Sequence, residues 1–222
     1  HPINARFTCG SIMVDGESVT SPILSADLRR WPTVNLTTSL LIGGGLINLA
    51  VDGDLKEKSA SIDLEGSGAP EVINRILETH TPRAAPFFVF ADPVSVTAKA
   101  ELEEGWHFKR LASRVAAGKI NSRGVHLTSA RGRIDIEGMN FLAYDAQVEL
   151  GENVARGSYW MNFHTTDYRM LLNGKLRPQE IAGWVNGDWW NEFWNEHFSF
   201  SPALPAADVD VQGRWRDVAK LE

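Results

Sequence analysis

The chain contains one cysteine, Cys9, so no disulfide can form within it. A lone cysteine is more often a small buried side chain than a nucleophile, and we expect Cys9 to be buried. Disulfides are not required, because a chain of 222 residues can bury most of the surface that it exposes when unfolded. The cysteine content therefore leaves the cellular compartment open.

Positive charge and long apolar runs are also scarce. The 22 Lys and Arg residues are outnumbered by 28 Asp and Glu residues, and the formal net charge is −6. Nucleic-acid binding is disfavoured, since phosphates are neutralised by a basic face. No apolar run reaches about 18 residues, so we expect no transmembrane segment. The chain begins at His1 without a signal-peptide pattern, and we expect a processed chain or a segment of a longer protein.

Motifs that carry catalysis or bind metal are missing from the sequence. The histidines are scattered without H-x-x-x-H spacing, and no C-x-x-C or G-x-S-x-G motif occurs. Acidic residues that could form a glycosidase pair, such as Glu103, Glu104, Glu192 and Glu196, are too common for their spacing to be informative. We predict a non-enzymatic protein with no catalytic residue, metal site or cofactor. A hydrolase with an unrecognised site stays as an alternative.

Alternation with a period of two dominates the chain. Residues 94–102 place apolar side chains at every even position and polar or charged ones between them, and residues 61–64, 133–137, 144–150 and 208–211 repeat the pattern. Turn signals at 121–124, 130–132, 137–138, 151–153 and 156–157 separate such stretches. This spacing is typical of antiparallel hairpins in a sheet with one buried face and one solvent-exposed face. We predict one mainly β region over residues 1–222, an elongated twisted antiparallel sheet with two or three short amphipathic helices.

Helical spacing interrupts the alternation in a few places. Pro70 and Pro178 each precede apolar residues three and four apart, which predicts helices at 70–77 and 180–185. Asp188 can cap another helix at 189–197. Residues 107–117 also show helical spacing.

Aromatic residues concentrate in the predicted helix at 189–197 and just before it. Trp189, Trp190, Phe193 and Trp194 would share one helical face, with Trp184 just upstream. Four such side chains carry roughly 600–1,000 Å² of apolar surface, more than a soluble monomer usually exposes. The sheet of this chain, a partner subunit or repeat, or a lipid, bilayer interface or sugar could cover this aromatic stripe.

Two segments of the chain are similar to each other. Residues 62–77 align with residues 170–185 at a constant offset, matching Leu64 with Leu172 and Gly66 with Gly174. The match extends with small gaps to residues 46–106 and 159–215. It predicts an internal repeat of strand, glycine, short helix and returning strands, which would stack to share a core.

The pattern L-x-G-x-L-x-P-x-x-I at 172–181 and the strand at 207–217 resemble strand–helix junctions and strand entries of bacterial AsmA-like envelope proteins. The resemblance spans residues 45–217. It implies a periplasmic sheet that curls into an apolar groove and takes part in phospholipid movement between inner and outer membranes. Other repeats or subunits of an envelope assembly would be its partners. This chain is shorter than those proteins and lacks their N-terminal anchor, as a segment would.

These observations lead to one hypothesis and one rival. The hypothesis is a non-enzymatic apolar groove that binds or conducts phospholipid acyl chains. Its candidate lining residues are Val94, Val96, Ile134, Ile136, Tyr144, Ala146 and Val148. The rival is a self-contained β-sandwich or barrel that binds carbohydrate or a protein partner. A second layer sealed over the apolar face would rule out the groove.

Overall fold

A computed structural model of the chain describes residues 3–14, 17–80, 82, 85, 88–151, 153–175, 177–184, 189–199 and 206–214. The strands are β1 (Asn4–Thr8), β2 (Ser11–Val14), β3 (Glu17–Asp27), β4 (Thr33–Ile42), β5 (Gly45–Asp54), β6 (Ser59–Gly68), β7 (Val89–Phe90), β8 (Val94–Glu103), β9 (His107–Ala117), β10 (Ile120–Ser122), β11 (Val125–Leu127), β12 (Ser129–Glu137), β13 (Asn140–Leu150), β14 (Asn153–Asn162), β15 (Asp167–Lys175) and β16 (Ala206–Arg214). The helices are α1 (Pro70–His80), α2 (Trp189–His197) and two 3-10 helices, Glu104–Trp106 and Pro178–Trp184.

Thirteen of the strands form one large sheet, as the alternation predicts. Its order is β1-β3-β4-β5-β6-β8-β9-β12-β13-β14-β15-β16, with β2 paired to β3, and every pairing is antiparallel. The predicted mainly β fold is therefore confirmed. The N-terminal strands β1 to β4 belong to the same sheet. A small second sheet has the order β11-β10-β7.

The strands of the large sheet end along two of its sides, and the connections between neighbouring strands differ between these two sides, which we call edges. At one edge, five short turns join the strands, at residues 28–32, 55–58, 104–106, 138–139 and 163–166. We call this the turn edge. At the other edge, which we call the helical edge, three connections contain α1 with β7, β10 with β11, and the helix Pro178–Trp184 with α2. Adjacent strands joined in this way leave all the helices except Glu104–Trp106 on one side of the molecule.

The predicted helices at the helical edge are confirmed, with one change of type. Helix α1 has Pro70 at its first position, and its Val72 and Ile73 lie so close to Gly43 and Gly68 that neither glycine has room for a Cβ. The segment predicted at 180–185 is part of a 3-10 helix, Pro178–Trp184. Helix α2 spans residues 189–197, as predicted. Val185 and the predicted cap Asp188 lie outside the described residues.

Residues 107–117 form strand β9 and not a helix, so this prediction is wrong. A bulge between β8 and β9 leaves Phe108 paired with Leu102 and Arg110 paired with Glu101. Phe108 and Leu111 therefore lie on the same face of the sheet although they are three residues apart. That spacing imitates a helical period.

Three smaller predictions also need correction. Cys9 is exposed, at the end of the short edge strand β1. Residues 130–132 and 156–157 lie inside β12 and β14 and are not turns. Gly157 instead allows a close approach, because a Cβ there would collide with the backbone of Leu171 on the next strand. The signals at 121–124 and 137–138 do mark turns, and Gly151 of the third signal lies in a turn, while Glu152 lies outside the described residues.

The two segments of the predicted repeat share a strand, a helix that begins at proline and a returning strand, but the first has the strand β7 where the second has the helix α2. Strand β6 is followed by α1 and β7 before β8 returns to pair with it, and β15 is followed by two helices before β16 returns. Gly66 and Gly174 both lie under a carbonyl oxygen of the preceding strand, where a Cβ has no room. The internal repeat itself stays a prediction.

The buried core lies at the helical edge. It consists of Ile120, Val125, Leu127, Leu150, Ala155 and Ile181. These residues come from the small sheet, the ends of β13 and β14, and the helix Pro178–Trp184. The core therefore lies against the helical edge of the large sheet, and the centre of the sheet is not part of the core.

One asparagine joins α1 to the small sheet. The side chain of Asn74 donates to the carbonyl oxygen of Phe90 at 2.9 Å and accepts from its backbone N–H at 2.9 Å. Asn74 thus replaces a strand partner on the open side of β7, and the hydrogen bonds are partly buried.

We expect the substitution Asn74→Ala to lower the free energy of unfolding by about 1–3 kcal/mol, because both backbone groups of Phe90 lose their partner. Urea unfolding followed by circular dichroism measures this change. Asn191→Ala, at an exposed position of α2, is the control and should change it by less than about 0.5 kcal/mol. Equal effects of the two substitutions would contradict this role of Asn74.

Candidate functional site: an uncharged sheet face

One face of the large sheet carries no charged side chain over ten neighbouring strands. Cross-strand partners point to the same face, and successive residues alternate between faces, so the register assigns each residue to a side. Three rows run across the strands from β4 to β16. Nearest the turn edge are Leu36, Val51, Ile62, Ala100, Leu111, Ile136, Phe141, Met161, Tyr168 and Gly213; in the middle are Thr38, Leu49, Leu64, Ala98, Ser113, Ile134, Ala143, Tyr159, Met170 and Val211; nearest the helical edge are Leu40, Ile47, Gly66, Val96, Val115, Gly132, Ala146, Gly157, Leu172 and Val209. We call these rows the apolar face.

The opposite face of the same strands is charged. It presents, among others, Asp52, Asp63, Glu65, Lys99, Glu101, Arg110, Arg114, Arg131, Arg133, Asp135, Arg156, Arg169, Asp208 and Asp210. We call it the polar face. The contrast between the two faces is the main chemical feature of the described structure.

Nothing among the described residues forms a layer over the centre of the apolar face. The large side chains of its middle row, such as Leu49, Leu64 and Ile134, are only partly buried. Full burial in the large sheet is confined mainly to positions near the strand ends, as at Val19, Val94 and Leu150. A second sheet packed on this face would have buried the middle row as well.

The apolar face is long in the direction across the strands. Ten strands are separated by nine intervals of about 4.8 Å, which gives about 43 Å. The acyl chains of one bilayer leaflet span roughly 15 Å, half of the hydrocarbon thickness. An acyl chain therefore fits lengthwise on this face.

The structure brings six of the seven candidate lining residues to the apolar side. Val96, Ile134, Ile136 and Ala146 lie in the three rows. Val94 and Val148 lie on the same side but at the helical edge, where Val94 is buried and Val148 packs on the core.

Tyr144 does not share this face, contrary to the prediction. It pairs with Arg133, whose guanidinium carbon lies 5.9 Å from the centre of the Tyr144 ring, and its hydroxyl group is 3.3 Å from Asp135. A β-bulge separates Ala143 from Ala146, and Asp145 within it has a φ of +50°. The extra residue moves Tyr144 to the polar face while Ala143 and Ala146 both stay on the apolar one.

The aromatic stripe is partly core and partly surface. The indole N–H of Trp184 donates to Ser122 at 2.8 Å, and that of Trp190 donates to the carbonyl of Pro178 at 2.7 Å. Both indoles pack against the core. Trp189 and Phe193 are exposed, and Trp194 contacts Phe193 and Trp190 edge-to-face. From the sequence alone, several alternatives remained for what covers the stripe. In the structure, the core of this chain covers about half of it.

Sequence reasoning missed most of the apolar face. Leu40, Ile47 and Leu49 continue it into β4 and β5, where alternation is present but a run of hydroxyl residues hides it. Phe141 was missed as well, because the bulge at Asp145 changes which residues of β13 lie on the apolar face. Tyr159, on the neighbouring strand β14, was also missed. Extending the alternation test to residues 34–54 would have found the first group.

The polar face offers no chemical centre within the described residues. Its shallow depressions are lined by cations and anions together, as where Arg131, Arg156, Asp208 and Asp210 meet. No group of three His, Cys, Asp or Glu side chains there could hold a metal ion, judged on the residues that the structure describes. In the same residues, no helix has the length and apolar character to cross a membrane.

Comparison of the chain with protein-family models, curated proteins and solved structures gave no match. The candidate site is therefore defined by the geometry of this chain alone.

Ion pairs on the polar face hold the edge strand β16. Arg169 binds Asp210 through two hydrogen bonds of 3.0 and 2.7 Å, and Arg214 binds Asp167 at 2.8 Å. The hydrogen bond from Arg169 lowers the pKa of Asp210, and that from Arg214 lowers the pKa of Asp167. Because the folded-state pKa values are lowered, the pairs stabilise β16 fully at pH values above the unfolded pKa of about 4. This stabilisation is lost as the pH falls through the folded-state pKa values.

We expect the double variant Asp167→Asn/Asp210→Asn to melt at a lower temperature than the native chain at pH 7, with the difference shrinking as the pH falls below about 4. High salt should reduce the difference, since the pairs are exposed. Thermal scans between pH 2 and pH 7 measure it. Glu65→Gln is the control, because Glu65 pairs with Thr97 across the sheet and not with an arginine. A difference that persists unchanged at pH 2 would contradict the role of these pairs.

Proposed function

We propose that the apolar face binds the acyl chains of phospholipid or of another long-chain lipid, and that the protein acts without catalysis. The observation that carries the proposal is the absence of charge in three adjacent rows of ten strands. A face of this kind in a soluble fold is normally packed against a second layer. Here, in the described part of the chain, its centre stays open.

The energetics favour an extended apolar ligand. Removing apolar area from water contributes about 25 cal/mol per Å², without directional requirements. Exposed apolar patches larger than a few hundred Å² mark binding surfaces in soluble proteins. The few polar atoms of the face, on Thr38, Ser113, Tyr159 and Tyr168, are uncharged. Such a surface selects chain length and flexibility more than headgroup chemistry.

The resemblance to AsmA-like proteins adds the setting of this proposal. It supports a periplasmic location, passage of lipid between two membranes, and association with other repeats or subunits. The outer strand β16 supports the last point, because among the described strands only β15 pairs with it, and its other side has backbone groups available for a further strand.

Two adjacent leucines provide a matched test of the apolar face. Leu40 pairs with Ile47 on the apolar face, whereas Leu41 pairs with Leu46 on the polar face, and both are partly exposed. We expect Leu40→Lys to weaken binding of a 16-carbon fatty acid at least tenfold, because the ammonium group of the lysine would lose its hydration when the acyl chain binds beside it. Leu41→Lys should change binding less than twofold. Displacement of a fluorescent fatty acid measures both, and mass spectrometry identifies phospholipid that copurifies.

A second substitution guards against a local folding defect. Ile134→Lys, on a different strand of the same face, should weaken binding as Leu40→Lys does. If neither fatty acid nor phospholipid binds, or if Leu40→Lys and Leu41→Lys act alike, the lipid proposal is wrong. Binding of soluble glycans or of a protein to the lipid-free chain would then support the rival.

A further inference from the structure

Every turn of the turn edge contains one exposed large apolar side chain, which we call its tip. Trp31 is 68% exposed, Leu55 42%, Trp106 43%, Met139 58% and Phe163 48%, one in each of the five turns. Turn tips of soluble proteins are usually polar. An apolar residue at each of five successive tips is not required by the fold, because none of the five is in the core.

The five tips follow one another along the turn edge. The backbone N–H of Leu55 donates to Pro32, that of Trp106 to Lys58, and that of Phe163 to Met139, at 3.2, 2.7 and 2.8 Å. These bonds join the first three turns to one another and the last two to each other. The turns recur every two strands, about 10 Å apart.

The backbone at Trp106 is strained, as it is at Lys58 and Thr166, which end two other turns of this edge. Its φ is +65°, a conformation that bulky residues rarely adopt and that glycine or asparagine adopts at less cost. Such strain is found where a particular side chain is required. The preceding residue, Gly105, also has a positive φ, so the turn itself is already provided for.

The turn edge carries charges of both signs. The turns at 28–32 and 55–58 contain Arg29, Arg30, Lys56 and Lys58, but Arg29 pairs with Asp27 and Lys56 with Glu57. Asp54, Glu103 and Glu104 lie beside the same turns. The charge of this edge therefore does not select an anionic surface.

Aromatic contacts lead from the turn edge onto the apolar face. The ring of Phe163 lies 6.3 Å from that of Phe141, which lies 6.1 Å from Tyr159, and Tyr159 stacks on Tyr168 at 6.2 Å. Phe141, Tyr159 and Tyr168 belong to the apolar face. The apolar surface thus continues without interruption from a tip to the proposed binding face.

We propose that the turn edge docks on a lipid bilayer, with its apolar tips inserted at headgroup level. Single side chains about 10 Å apart suit a deformable surface, whereas a protein partner would need a separate pocket for each tip. The tips expose roughly 400–600 Å² together, less than the roughly 800 Å² per partner of a stable protein interface. Tryptophan is the residue most enriched at bilayer interfaces. Docking does not depend on lipid binding by the apolar face, although it would supply that face from the membrane.

The test uses flotation of the whole chain with vesicles of phosphatidylcholine and phosphatidylglycerol in a 7:3 ratio. We expect the native chain to bind, and the triple variant Trp31→Ser/Trp106→Ser/Phe163→Ser to partition about 100-fold less. Trp189→Ser is the matched control, because Trp189 is 55% exposed but lies on α2 at the helical edge. Its partitioning should stay within twofold of native.

Trp106→Asn separates docking from stability. Asparagine tolerates a positive φ, so this variant should resist urea at least as well as the native chain while partitioning about 5–10-fold less to vesicles. A variant that lost binding only by unfolding would not show this combination.

Three results would overturn the docking proposal. They are failure of the native chain to float with vesicles, equal loss with Trp189→Ser, and a lower self-association of the triple variant in sedimentation, which would make the turn edge an interface between copies. Docking and lipid binding fail separately: Leu40→Lys should still float, and the triple variant should still bind monomeric fatty acid.

Discussion

The continuous antiparallel pairing of the large sheet is the constraint on which the other properties of the molecule depend. Because side chains alternate between faces, a slip of one residue at any pairing would move a charged row onto the apolar face. Polar ladders oppose such a slip. Asn35 bonds to Asp52, Ser39 to Asn48, and Arg169 to Asp210, each across a strand pair on the polar face. The polar face thus fixes the register, and the apolar face is left free of any structural role in its centre.

Two bulges show how the register survives where the sequence alternation fails. At β8 and β9 the bulge brings Phe108 and Leu111 to one face, and at β13 it does the same for Ala143 and Ala146. Each bulge inserts a residue at a position where strict alternation would have placed a polar side chain among apolar ones. The two most consequential wrong predictions, the helix at 107–117 and the position of Tyr144 on the apolar face, both come from these sites. Strands and their faces could be predicted only where the period of two is regular. A bulge leaves no clear sign in one sequence, and Asp145 is not even a glycine.

The helical edge shows what else the sequence could and could not provide. Pro70 and Pro178 predicted where helices start, because proline favours the first turn. They could not predict that both helices return to the same edge, which follows from strand pairing far away in sequence. The cap of the second helix is local, since Glu180 accepts from the backbone of Arg177 at 3.0 Å, but Glu180 also meets Asn153 of β14 at 3.3 Å. The division of the tryptophans between core and surface follows from this docking, so the helical pattern alone could not assign Trp190 to the core.

The apolar face thus has two unlike borders, and the difference bears on how a ligand would reach it. At the helical edge, access would require breaking the core around Ile181 together with the hydrogen bonds of Trp184 and Trp190. At the turn edge, the border is a row of two- to five-residue turns, with Phe163 and Phe141 in ring contact across it. An acyl chain crossing there stays in apolar contact throughout, whereas a chain entering from the polar side would have to cross charged rows. The uneven closure of the sheet therefore gives the proposed site a direction of entry, from the turn edge inward.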